Sequence, residues 1–147
     1  MPEQYSSFAR QTRKYAIAGM AAHLAGVALG TLSIALVLSG RIGIESGLAF
    51  LTPVADALFG LGLVMVVAVA ARAGVPMKYL VIVGAIIGVG LFYKSAPHEF
   101  HIATGIGFGL PHNGHTIMGN IMMTVSVVSL GVLALVYNRS GRQEDGN

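Results

Sequence analysis

The 147-residue chain has no cysteine and no tryptophan, and only 10% of its residues are charged. Without cysteine there is no disulfide framework, no thiol nucleophile and no thiolate zinc site. A globular domain carries charge on about a quarter of its residues, so the scarcity of charge argues against a soluble enzyme. At 54% apolar the chain is not a disordered one either. The formal net charge is +3, and the basic residues lie between apolar runs rather than in a solvated patch. That distribution excludes a nucleic-acid partner.

What is abundant is uninterrupted apolar sequence. Between Lys14 and Arg41 there is no Asp, Glu, Lys or Arg, and the run from Tyr15 to Leu38 exceeds the roughly 20 residues a helix needs to cross about 30 Å of hydrocarbon. A second run, Leu48 to Ala71, holds one acid, Asp56. The third, Met77 to Tyr93, is short and bracketed by Lys78 and Lys94, whose long stems can snorkel to an interface. The fourth, Thr116 to Tyr137, precedes a polar tail. The sequence therefore predicts an all-α integral membrane protein, four transmembrane helices in an up-down-up-down bundle facing a lipid bilayer. Its parts are an N-terminal segment over 1–14, a transmembrane domain over 15–137 with an outer loop over 94–115, and a tail over 138–147. A cleaved signal peptide is the competing reading of the first run, but a signal core is only about 7–15 residues long. Arg10, Arg13, Lys14, Arg72, Lys78, Arg139 and Arg142 outweigh Arg41 and Lys94 at the other ends, so both termini are expected to be cytoplasmic.

Polar residues inside such runs are the candidates for function. Asp56 lies about eight residues into the second helix, roughly 12 Å along its axis. An ionised acid at that depth must face protein or a hydrated cavity, which makes it a functional candidate; a hydrogen-bonded acid holding helices together is the structural alternative. Pro53 loosens the ladder beside it and frees a carbonyl. On the fourth helix Thr116, Asn120 and Thr124 recur every four residues on one face. Asn120, Asp56 and Tyr93 fall in the same outward half of the bilayer, where a shared polar pocket is expected. His23 shares a face with Gly19, Gly26 and Gly30, and an imidazole there suits ligation of haem iron, a bond to another helix, or proton relay. Gly26 with Gly30, and Gly84 with Gly88, are small-xxx-small pairs that permit close approach of helices, within a protomer or between protomers.

The outer loop carries two His-x-x-His pairs, His98 with His101 and His112 with His115, which on a helical turn would place imidazoles together as divalent-metal sites require. Glu99 could add an oxygen ligand. The alternative is a glycine-rich lid whose histidines, Phe100 and Phe108 settle at the interface and fold back over the pocket. The Gly105-x-Gly-x-Gly109 stretch lacks the strand and helix of a phosphate cradle.

The arrangement resembles the small four-helix membrane isomerases, hydroxylaminobenzene mutase and styrene oxide isomerase. Arg13, Gly19, Gly26 and Gly30 resemble the family's basic start and spaced glycines. Ala49-Phe-Leu-Thr-Pro-Val-Ala-Asp56-Ala-Leu-Phe resembles a family segment reading approximately Ala-His-Leu-Glu-Gly-Val-x-Asn-Gly-x-Phe. Gly88-Val-Gly-Leu-Phe-Tyr-Lys-Ser95 resembles the segment containing an active-site tyrosine. The chain departs from the pattern at Phe50, where the family has its haem-ligating histidine, at Asp56, where an asparagine is expected, and at Gly84, where the isomerase has an aspartate. A haem b would therefore need another ligand, and His23 is the first candidate by depth and helix face.

The resemblance implies a membrane-embedded isomerase or mutase of the bacterial inner membrane, a homo-oligomer and specifically a trimer. Its substrate would be small and apolar, an epoxide or an arylhydroxylamine, rearranged with acid or Lewis-acid assistance. Asp56 would protonate the substrate or stabilise developing positive charge, and Tyr93 and Asn120 would hold the substrate oxygen. The reading from another class is a non-enzymatic haem- or metal-binding subunit, or a transporter of metal or a small solute.

Overall fold

In the computed structural model, which describes residues 2–46, 50–95 and 112–144, all regular structure is helical. Four long helices, α1 (Pro2–Leu38), α2 (Thr52–Arg72), α3 (Met77–Ser95) and α4 (His112–Glu144), are accompanied by a single turn at Ile44–Ser46. Each long helix contains a stretch long and apolar enough to cross a membrane: Ser7–Leu38, Thr52–Arg72, Met77–Lys94 and Ile117–Asn138. The outside of the bundle is as apolar as its inside. Leu32, Val64, Val81, Ile82 and Val125 are each more than half exposed, a surface that would associate in water and is at home in lipid.

Local chemistry sets the helix ends. Gly40 (φ 68°) and Gly74 (φ 76°) adopt the left-handed conformation that glycine tolerates best. Behind them the N–H of Arg41 bonds Leu36 O at 3.0 Å and the N–H of Val75 bonds Ala70 O at 3.1 Å, closing α1 and α2 with the same glycine motif. Pro53 falls in the first turn of α2. A proline suits the first turn, where few N–H groups have intrahelical partners. The helices also outrun the predicted spans: α1 reaches back to Pro2, while α4 begins at His112 and continues to Glu144. Apolarity marks the part of a helix that lipid can cover, not where its backbone ladder stops.

Backbone approach between helices is set by glycine. A Cβ added to Gly26 of α1 would lie 2.5 Å from Phe59 N and 2.6 Å from Ala55 O of α2. One added to Gly62 of α2 would meet the backbone of His23 and Gly19. Gly90 and Gly119 play the same part between α3 and α4, each facing the other's backbone. By contrast, Gly84 and Gly88 have nothing within 4 Å of an added Cβ, so that spaced pair makes no close approach within the protomer. The helix α4 packs against all three others, whereas α2 and α3 meet sparsely. Asn138 Nδ2 donates to Ala9 O at 3.0 Å and His23 meets Thr124 further along, so α1 and α4 run in opposite directions. Ala16, Val66, Ala70, Met123, Val127, Leu130 and Ala134 form the buried core.

Candidate functional site

A group of polar side chains, His23, Thr124, Asn120, Asp56 and Lys94, lies away from the Ala9–Asn138 contact. At their centre is His23, fully buried on α1. Its Nδ1 lies 3.2 Å from Phe59 O and its Nε2 3.3 Å from Thr124 Oγ1, so one ring ties α1 to both α2 and α4. The ring also packs on Phe59, with centroids 4.1 Å apart. Gly62 and Gly26 make this possible, because side chains there would push α2 away from the turn that carries His23.

Beyond Phe59 stands an ion pair. Lys94 Nζ bonds Asp56 Oδ1 at 2.7 Å and lies 4.8 Å from the centroid of the Phe59 ring, within cation–π range. Asp56 is the fifth residue of α2 counted from Thr52, with Phe50 and Leu51 helical just before it, and Lys94 is the penultimate residue of α3. The pair therefore occupies the rim of the bundle, where its charge is both neutralised and close to the interface. Sequence reasoning treated Lys94 as an interfacial anchor only. The signal that points to the pair is two opposite charges at the same end of successive helices.

Between α1 and α4 a groove of about 280 Å³ opens on the bundle surface. Its walls are Val27, Ile117, Ile121 and Val125, and its polar members are Thr31, Asn120 and Thr124. The predicted association of Asn120, Asp56 and Tyr93 is thus divided: Asn120 lines the groove, and neither Asp56 nor Tyr93 does. Tyr93 is buried on α3 with its ring edge-on to Phe92 at 6.2 Å. Among the described residues the buried Oδ1 of Asn120 has no hydrogen-bond partner, an unusual state for a span interior. Thr31 was not singled out by sequence, although it lies two helical turns after His23 on the same stripe.

No family model, curated protein or solved structure matches the chain.

The surroundings of His23 do not fit a haem. Both ring nitrogens are engaged, the ring lies against Phe59, and the side chain has no exposed surface; an axial ligand needs one nitrogen free and an open face for the macrocycle. Among the described residues there is also no group of three or more His, Asp or Glu side chains placed to hold a metal ion. His98 and His101 lie outside the described residues, and the backbone of His112 and His115 forms the first turn of α4.

Proposed function

We propose that the protein is a membrane-embedded isomerase or mutase that rearranges a small apolar substrate, of the epoxide or arylhydroxylamine class, in the groove between α1 and α4. The observation that carries this reading is the groove itself. A cavity of about 150 Å³ accommodates a benzene-sized molecule, and this one, at about 280 Å³, leaves room for a substituted ring. It opens on the apolar surface, so a substrate dissolved in lipid reaches it without crossing water. An isomerisation needs no second substrate: a C–O or N–O bond breaks, a new bond forms within the same molecule, and the proton returns to it. What the site must supply is polar contact at the oxygen of the breaking bond and compensation for developing positive charge. Asn120 supplies the first, Thr124 backed by His23 gives a proton a path, and the Asp56 carboxylate, shared with Lys94 at the rim and outside the groove, is the proposed counter-charge. In this reading both termini are cytoplasmic, the membrane is the bacterial inner membrane, and the working form is a homo-oligomer, a trimer by resemblance.

The test is conversion by the purified protein in lipid nanodiscs of styrene oxide and of phenylhydroxylamine, followed by chromatography of the products. Rearrangement of one of them is expected, with a loss of at least about tenfold in Asn120→Ala and loss of turnover in Asp56→Asn while the protein remains folded. No rearrangement of either compound overturns the reading, and Asp56-dependent flux of a solute or metal across proteoliposomes would replace it with transport.

A further inference from the structure

We propose that the α1–α4 groove selects, among small apolar molecules, those that carry an O–H or N–H group able to donate a hydrogen bond. This deepens the function proposed above, takes its site from it, and narrows its substrate to the arylhydroxylamine class, since an epoxide only accepts. Thr31 has one hydroxyl proton and donates it to Val27 O at 2.8 Å, so toward the groove it offers only lone pairs. His23 Nδ1 faces Phe59 O at 3.2 Å. A carbonyl only accepts, so the ring proton sits on Nδ1. A ring with its one proton there leaves Nε2 as an acceptor. Thr124 Oγ1, 3.3 Å away, is then the donor. Its single proton is directed at His23 and away from the groove.

The Oδ1 of Asn120, one turn from Thr124, is buried out of a ligand's reach, so the oxygens that the groove presents are those of Thr31 and Thr124. The other side chains lining the groove, Val27, Ile117, Ile121 and Val125, carry no polar hydrogen. Only the amide N–H groups of Asn120 remain to donate. A ligand that only accepts, such as an ether or a ketone, meets one donor and leaves the oxygens unpaired in a medium where water does not satisfy them. A ligand with an O–H or N–H can accept from the Asn120 amide and donate to one of these oxygens.

Benzyl alcohol and anisole test the idea because they are isomers of similar size and differ in whether the oxygen bears a proton. Binding is read from the isotope-labelled methyl groups of Ile117 and Ile121 by nuclear magnetic resonance in micelles, with each ligand's partition into the micelle measured so that affinities are compared at equal local mole fraction. Benzyl alcohol is expected to bind roughly three- to tenfold more tightly, the range of one added hydrogen bond. Thr124→Val, which keeps the shape and removes the oxygen, is expected to shrink that preference. Thr31→Val, on an exposed position that bonds only within its own helix, is expected to shrink it without touching the helix contacts. Equal affinities in the parent protein, or an undiminished preference in the double variant Thr31→Val/Thr124→Val, overturn the inference. A donor preference with no rearrangement of any substrate supports it and removes the isomerase reading alone. Rearrangement with equal affinity for the two isomers removes this inference alone.

Discussion

The α1–α2 seam and the outward face of α3 each carry glycines four residues apart, and the two regions behave in opposite ways. At the seam, Gly26 lies so close to Phe59 and Ala55 that no side chain fits, whereas Gly84 and Gly88 face open space. In water the two would differ in sequence, because an outward face is polar. In a bilayer both faces are apolar, and spacing alone does not tell a packed glycine from one that looks at lipid. What separates them is the neighbour. His23 shares the seam face, and its bonds to Phe59 and Thr124 need backbone contact that only glycine permits.

The sharpest way to break this comparison is to put the same side chain in both places. Gly62→Leu would drive a branched chain into the backbone of His23 and Gly19. It is expected to destabilise the bundle by more than about 4 kcal/mol, beyond the usual range of a single substitution. Loss of a cooperative thermal transition in detergent, followed by circular dichroism, is the readout. A Gly62→Leu protein with the parent midpoint would show that the seam is not closely packed.

Removing the residue that the seam serves should cost less. His23→Ala deletes a fully buried ring and both of its bonds, with an expected loss of about 2–4 kcal/mol from cavity formation and an unpaired partner. The check is the midpoint of chemical unfolding in mixed micelles. A loss confined to activity, with stability unchanged, would assign His23 to chemistry alone and not to holding three helices together.

The rim pair comes next in size. More than half of the Asp56 side chain is exposed and about a quarter of that of Lys94, so screening reduces what the pair contributes. Lys94→Met is expected to cost about 0–1 kcal/mol, a difference that narrows as salt is raised, measured as unfolding midpoints at low and high ionic strength. Exchanging the charges, Asp56→Lys with Lys94→Asp, should restore the parent value.

The sequence made some of this legible and left the rest hidden for physical reasons. The four spans are readable because hydrocarbon demands runs of apolar residues, and Asp56, His23 and Asn120 stand out because such runs tolerate few polar groups. That His23 lies on the close-packed face follows from Gly19 and Gly26, which the structure places against α2. The pairing of Asp56 with Lys94 is signalled only weakly, by opposite charges at the same end of successive helices, since a lysine at a helix end satisfies its charge at the interface as readily as in a pair. The division between the groove and the rim was not readable. It depends on α4 lying against all three other helices while α2 and α3 barely meet, and no periodicity encodes that choice.

The smallest effect belongs to the other side of the comparison. With nothing within 4 Å of a Cβ at Gly84 or Gly88, Gly84→Ala and Gly88→Ala remove a helix-weakening residue without creating a clash. They are expected to leave stability unchanged or raise it by up to about 1 kcal/mol. The larger replacements Gly84→Leu and Gly88→Leu should likewise leave the protomer folded, in direct contrast to Gly62→Leu. They separate two surroundings for the α3 face. If lipid covers it, the mass of the detergent-solubilised particle, measured by light scattering, is the same in parent and variants. If a second copy covers it through the close approach that small residues allow, the Leu variants run at lower mass with an intact thermal transition. A Leu variant that unfolds like Gly62→Leu would mean that both glycine faces are packed inside the protomer, and the distinction between seam and surface would be lost.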